Sequence, residues 1–146
     1  MPELTITRDI HAKVADVWNV FTDLSAAAQR LTAVERIELL TPGPFAAGTE
    51  WEETRRIHGK LATDRMLVTE LEPNQSYTVA AGADGARYEL RYDFTTLDAD
   101  TTRVTFTFVL KREGPKQVVA TIFWPLVKGR MAKDIGKDLK DLASHC

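Results

Sequence analysis

The sequence has very little cysteine: one in 146 residues, and that one, Cys146, is the last residue. No disulfide can form within the chain, and nothing favours an oxidising compartment. The N-terminus alternates polar and apolar residues and lacks the basic start and apolar core of a secretion signal. We therefore expect a cytoplasmic location.

A surplus of one charge and long apolar runs are also missing. The 19 Lys and Arg residues nearly balance the 21 Asp and Glu residues, for a formal net charge of −2. No basic surplus would attract nucleic acid, and no apolar run approaches the length of a membrane span. Nucleic-acid partners and stable membrane anchoring are therefore not expected. The composition, 44% hydrophobic and 27% charged, is typical of one globular domain, which we assign to residues 1–146.

The motifs of the commonest enzyme classes do not occur. The three histidines, His11, His58 and His145, have no carboxylate or cysteine at the spacing of metal ligands, so no metal site is predicted. A Gly-x-Ser-x-Gly elbow, a glycine loop that could cradle phosphate and a dinucleotide fingerprint are all missing. The usual hydrolases, kinases and dehydrogenases are thereby excluded, no cofactor is predicted, and the catalytic residues stay unknown.

Periodicity is the informative signal. Leu4 to Ile10 alternates as a strand, Ala12 to Leu24 has helical spacing, and Ser25 to Leu31 begins a second helical piece with a serine suited to an N-cap. A long helix is predicted from about Pro115 to Ser144, in which Pro125 should mark a bend or the true start. Six more alternating segments lie between these helices, near residues 34–40, 50–58, 61–68, 77–81, 88–94 and 104–110.

The segment EWEETRRIHGKLATDRMLV, residues 50–68, is predicted to form a β-hairpin. Gly59 followed by Lys60 suits a two-residue turn that needs glycine first, which would set His58 opposite Leu61. Because side chains alternate along a strand, this register collects one set of cross-strand pairs on a single face. The predicted pairs are Trp51 with Val68, Glu53 with Met66, Arg55 with Asp64, and Ile57 with Ala62.

Three charged side chains on this otherwise apolar face need an explanation. In a fully packed core each would cost several kcal/mol, which is on the order of what a whole core side chain contributes. If the face borders a hollow, Arg55 can pair with Asp64 across the strands and with Glu53 along its own strand. Arg55 could then hold a ligand carboxylate or enolate oxygen, and a carboxylate beside apolar walls would have a pKa raised towards proton transfer. A plain structural ion pair remains the alternative.

Three local stretches carry a resemblance to a known superfamily. VADVWNVFTDL resembles the first helix of the START and birch-pollen-allergen (SRPBCC) superfamily. FAAGTEWEETRRIHGKLATDRMLVTELEPNQSY resembles its central hairpin, and TTRVTFTF resembles its last strand. The predicted order of strands and helices along the whole chain also resembles that of the superfamily. The resemblance implies an α+β helix-grip fold, in which a curved seven-stranded antiparallel sheet wraps around the long C-terminal helix, with two short helices between strands 1 and 2.

The resemblance also implies a cavity between the sheet and the C-terminal helix. Its leading implication is binding or transport of a hydrophobic small molecule, such as a lipid or polyketide. An alternative is an enzyme similar to the polyketide cyclases and dehydratases, cofactor-free, in which Arg55 works with a carboxylate or tyrosine. A weaker alternative resembles the Hsp90-activator branch, which binds a partner protein. A binding module is favoured over an enzyme. The sequence does not decide between a monomer and a homodimer, although dimers occur among similar proteins.

The candidate ligand-contacting residues combine the polar hairpin cluster with the inward-facing positions of the other strands and the long helix. Tyr88 and Tyr92 belong to this set because a buried hydroxyl needs a partner, although tyrosines in such positions more often serve as core. The full set is Trp51, Glu53, Arg55, Asp64, Met66, Tyr88, Tyr92, Phe106, Phe123 and Val127.

Overall fold

The structure is a computed structural model that describes residues 3–57, 59–83, 86–111 and 116–146, with only the backbone described at residues 83, 86 and 116–127. Ten elements follow one another in these ranges. The strands are β1 (Glu3–Ile10), β2 (Val34–Leu39), β3 (Glu50–Ile57), β4 (Lys60–Glu72), β5 (Ser76–Ala83), β6 (Ala86–Asp98) and β7 (Thr101–Leu110). The helices are α1 (Val14–Phe21), α2 (Leu24–Arg30) and α3 (Lys116–Ala143).

The seven strands form one antiparallel sheet in the order β1-β7-β6-β5-β4-β3-β2. One face of the sheet is apolar because side chains alternate along each strand. On β7, for example, Val104, Phe106 and Phe108 are all buried. The C-terminal half of α3 contributes Leu139 and Leu142 to the same core. The predicted α+β helix-grip fold is confirmed.

Helix α1 is fixed to the sheet by an aromatic contact. The Trp18 ring meets Tyr77 and Phe94 edge-on, with centroid distances of 5.8 and 5.2 Å, an arrangement favoured by the ring quadrupoles. The helix is shorter than predicted because the Thr22 hydroxyl donates a hydrogen bond to the Trp18 carbonyl at 2.8 Å and closes its last turn. The second helix follows Asp23, so the predicted Ser25 N-cap is wrong.

The register of the β3–β4 hairpin differs from the predicted one by two residues. Arg55 stands opposite Ala62, so the predicted cross-strand pairing of Arg55 with Asp64 is wrong. A shift of two residues leaves every side chain on its predicted face, since the period of a strand is two. The observed pairs on the inner face are Trp51 with Met66, Glu53 with Asp64, Arg55 with Ala62 and Ile57 with Lys60.

The turn explains the shift. Gly59 has φ of +78°, a left-handed conformation that favours glycine, and it directly precedes Lys60, the first residue of β4. Glycine therefore ends the turn instead of starting it. Leu61 pairs with Arg56 and not with His58, and His58 itself lies outside the described residues.

Helix α3 begins at Lys116, so Pro125 does not mark its start. Near its other end the Asp141 carboxylate accepts hydrogen bonds from the backbone N–H and the hydroxyl of Thr32, both at 3.0 Å. These bonds tie the end of α3 to the segment between α2 and β2. Within the residues that the structure describes, none of the helices is long and apolar enough to cross a membrane.

Replacing Leu139 tests the packing of α3 against the sheet. Leu139 is 1% exposed, so Leu139→Ala should lower the free energy of unfolding by about 3 kcal/mol through lost burial and a cavity. The control is Leu97→Ala. Leu97 is 43% exposed, so its replacement should lower the free energy of unfolding by about 0.5 kcal/mol or less. Urea unfolding measures both values. Equal losses in the two variants would contradict the placement of α3.

Candidate functional site

The centre of the inner polar cluster is the Arg55 guanidinium. Its Nε donates a hydrogen bond to Glu53 Oε2 at 2.7 Å, and its Nη1 lies 2.7 Å from Asp138 Oδ2. The predicted contact of Arg55 with Glu53 along β3 is therefore present. The second carboxylate comes from α3, so Arg55 joins the sheet to the C-terminal helix.

Sequence reasoning missed Asp138, although a signal was available. Asp138 lies three residues after Ile135 and four before Leu142, and both of these residues pack into the core. These intervals are the spacings of one helix face. A charged residue therefore occupies a position at which the helical pattern predicts an apolar one. Such an exception indicates a polar side chain that faces inward.

Burial sets the electrostatics of this cluster. The side chains of Glu53, Asp138 and Arg55 are 10%, 15% and 27% exposed. Burial raises the pKa of Asp138 to about 6, against the opposing effect of Arg55 and with a further contribution from Glu53. For Arg55, burial alone would lower the pKa, but the charges of Glu53 and Asp138 outweigh it and raise the pKa. The guanidinium is thus held firmly in its charged form.

Asp64 takes part in a different contact from the predicted one. Its carboxylate accepts a hydrogen bond from the Tyr88 hydroxyl of β6. Burial, followed by this bond to Asp64, raises the pKa of Tyr88. Tyr88 remains a neutral donor, and the inner face carries two polar groups, one around Arg55 and one formed by Asp64 and Tyr88.

Two buried polar atoms at this cluster have no hydrogen-bond partner: Asp138 Oδ1, an acceptor, and Trp51 Nε1, a donor. A third, Arg8 Nε, lies on the same face of the sheet but on β1, beside Val104. Trp51 is 6% exposed and lies on the same face of β3 as Glu53. Buried polar groups nearly always have a hydrogen-bond partner in the protein or in water. A ligand could supply the partners that Asp138 Oδ1 and Trp51 Nε1 lack.

The remaining predicted positions are apolar or aromatic. Tyr92 is buried in an aromatic group, stacked on Tyr77 at 4.7 Å and edge-on to Phe106 at 5.0 Å. Burial, with the charges of nearby carboxylates, raises its pKa. Met66 is also buried. The side chains of Phe123 and Val127 lie outside the described residues.

A groove of about 590 Å³ lies mainly on the other face of the sheet. Its lining includes Ala80 and Arg65, which alternation places opposite to Glu53, and Arg65 Nη2 pairs with Glu50 Oε2 at 2.8 Å. Of the predicted site residues only Tyr88 borders it, so this groove is not the hollow expected from the sequence. The charges of the inner cluster are largely buried, whereas Arg65 is 65% exposed, so the inner cluster is the stronger candidate for a ligand site.

The carboxylates of the inner cluster do not form a metal site. Over the described ranges of the chain, no group of three or more His, Cys, Asp or Glu side chains is placed to hold a metal ion. Each described carboxylate of the cluster instead meets a guanidinium or a hydroxyl. The arrangement can therefore bind and orient an organic group, or exchange a proton with it at Asp138.

Comparison with known proteins agrees with this architecture. The protein TTHA0849 from Thermus thermophilus is 22% identical with a TM-score of 0.77, over 99% of this chain and 96% of that chain. The Zhui aromatase/cyclase from Streptomyces sp. R1128 is 18% identical with a TM-score of 0.78, over 97% and 91%. A START superfamily protein from Mycobacterium smegmatis is 15% identical with a TM-score of 0.69, over 98% and 92%. No curated protein matches the sequence.

At these levels of identity the three structures are evidence for the fold alone. The sequence itself matches one family model, described as polyketide cyclase / dehydrase and lipid transport, over residues 1–146. The predicted relation to the START-like superfamily is thereby confirmed. The chain belongs to the polyketide cyclase/dehydrase and lipid-transport family.

Proposed function

We propose that this protein binds an apolar small molecule, such as a lipid or a polyketide, in a hollow between the inner face of the sheet and α3. The observation that carries the proposal is the buried cluster of Glu53, Arg55 and Asp138, in which Asp138 Oδ1 has no partner. Ligand sites typically combine apolar walls with a few convergent polar groups. The family description, which includes lipid transport, agrees with this assignment.

The walls of the proposed site come from the predicted inward residues. Trp51 and Met66 lie beside the polar cluster as a cross-strand pair. Tyr88 reaches the same region through its bond to Asp64. We propose that Tyr92, Phe106 and the α3 residues Phe123 and Val127 extend the apolar wall. A ligand would lie with its polar end against Asp138 and its apolar body along the aromatic side chains.

Native purification followed by mass spectrometry tests the binding function. Wild-type protein should retain an apolar molecule, and Arg55→Ala should lose it, because Glu53 and Asp138 would lose the cation that holds both of them in place at the site. The matched control is Arg56→Ala, whose guanidinium lies on the other face and pairs with Glu35 at 2.7 Å. That variant should retain the molecule at the wild-type level.

A second outcome bears on the same proposal. If wild type and Arg55→Ala retain the same amount of the molecule, the cluster does not orient a ligand. Circular dichroism of both variants shows whether any loss reflects unfolding. If wild-type protein retains no molecule and takes up none from a panel of fatty acids, sterols and aromatic polyketides, the binding function is wrong.

Catalysis similar to that of the cyclases and dehydratases is the second candidate, and Asp138 favours it. A carboxyl group with a pKa of about 6 is suited to exchange protons near neutrality. Its neighbour Arg55 could polarise a carbonyl, and Tyr88 is a neutral donor close by. Conversion of the retained molecule by wild type, seen as loss of water in its mass spectrum, together with binding but no conversion by Asp138→Asn, would establish an enzyme.

The pH dependence of stability checks the unusual state of Asp138. Folding raises its pKa from 3.8 to about 6, so its contribution to stability is fully present below pH 3.8 and is lost as the pH rises through about 6. The stability of wild type relative to Asp138→Asn should therefore decline across this window in urea unfolding at several pH values. Asp134→Asn, an exposed carboxylate one turn earlier on α3, is the control for general helix charge. A flat difference between wild type and Asp138→Asn would exclude the raised pKa.

A further inference from the structure

We propose that the inner site selects apolar ligands that carry a protonated amine and rejects ligands of the same shape that carry a carboxylate. This inference rests on the proposed binding function and names the chemistry of its ligand. It replaces the expectation from sequence that Arg55 holds a ligand carboxylate or enolate oxygen.

The charge balance of the cluster is the first reason. Arg55 pairs with two carboxylates, Glu53 and Asp138, and Glu53 stands directly opposite a third carboxylate, Asp64, in the sheet. At this end of the inner face three carboxylates therefore lie around one guanidinium; the other guanidinium of the face, Arg8, lies on β1 beside Val104. Partly buried charges are poorly screened by salt, so the surplus of negative charge acts on any ligand that enters.

The state of Arg55 is the second reason. Its Nε and Nη1 are already engaged by Glu53 and Asp138, each at 2.7 Å. A ligand carboxylate approaching Arg55 would meet two carboxylates already bound there and would be repelled by both. By contrast, Asp138 Oδ1 is a buried acceptor with no partner, which an ammonium N–H could satisfy with a strong charge-assisted hydrogen bond.

The Trp51 side chain is a second, independent observation that indicates a bound ligand. Its side chain is buried, and its Nε1 donor has no partner. It lies two residues from Glu53 on the same face of β3. An indole N–H can only donate, so the body of the ligand should offer an acceptor oxygen there. A ligand with an amine at one end and such an oxygen on its apolar body would satisfy both atoms.

The titration behaviour of the surrounding groups agrees with a negative potential. Burial by itself lowers the pKa of an arginine, yet the pKa of Arg55 is raised by Glu53 and Asp138. The pKa values of Tyr88 and Tyr92 are raised first by burial and then by neighbouring carboxylates. A metal ion is not the cation expected, because the described residues bring together no set of metal ligands.

Three probes that share a naphthalene ring test the inference: naphthylethylamine, naphthylethanol and naphthaleneacetate. Isothermal titration calorimetry at about pH 7.5 keeps the amine protonated and the acetate ionised, and lies above the Asp138 pKa of about 6. The amine should bind about tenfold more tightly than the acetate, or better, with the neutral alcohol between them. Equal binding of the acetate and the amine would overturn the inference and leave the binding function intact.

Variants connect the preference to the cluster. Asp138→Asn should weaken binding of the amine by about tenfold and leave the alcohol nearly unchanged, because only the charged contact is lost. Asp134→Asn, which removes an exposed carboxylate from the same helix, should leave both affinities at the wild-type level. If Asp138→Asn fails to fold by circular dichroism, Glu53→Gln takes its place with the same expectation.

The remaining outcomes separate the two proposals. An unchanged amine affinity in a folded Asp138→Asn or Glu53→Gln variant would overturn the assignment of the ligand chemistry to this cluster. Failure of all three probes, including the neutral alcohol, would instead count against the binding function, and the inference would fall with it.

Discussion

The Arg55 guanidinium is the interaction on which the inner polar face depends. It holds Glu53 of β3 and Asp138 of α3 at 2.7 Å each, in a place where either carboxylate alone would be costly. Leaving one charge of a buried pair without its partner typically costs about 3–5 kcal/mol. The same guanidinium therefore links the long helix to β3 and sets the charge of the site.

The inner face is divided into two parts with different physical roles. Towards β5, β6 and α1 it is a packed aromatic core, in which Tyr77 stacks on Tyr92 and Trp18 meets Phe94. Towards the hairpin it carries charges and two unfilled polar atoms. The first part stabilises the fold, and the second is where recognition of a polar group can occur. A packed core cannot accept a guest without losing burial, so we place the ligand at the border of the two parts, with its charged group in the polar part and its body against the edge of the aromatic part.

Strand alternation was enough to predict the strands and their faces, and the resemblance to the superfamily supplied their arrangement around the long helix. The predicted hairpin register was wrong by two residues, because Gly59 was placed at the start of the turn instead of its end. A shift of two residues leaves each side chain on the same face of the strand. Glu53, Arg55 and Asp64 were therefore still assigned to the inner face. Their partners could not be predicted in the same way. Asp138 meets Arg55 only because α3 packs at one particular rotation over β3, and that rotation is decided by tertiary packing. The Tyr88 hydroxyl reaches Asp64 across the intervening strand β5, a contact that the pairing of neighbouring strands does not predict.

A double-mutant cycle on Arg55 and Asp138 measures the central interaction directly. Urea unfolding of wild type, Arg55→Ala, Asp138→Ala and the double variant yields the coupling free energy between the two side chains. A bridge that joins sheet and helix in a buried setting predicts a coupling of about 2 kcal/mol, so that the double variant is more stable than the sum of the single losses implies. A coupling within about 0.3 kcal/mol of zero would contradict the account.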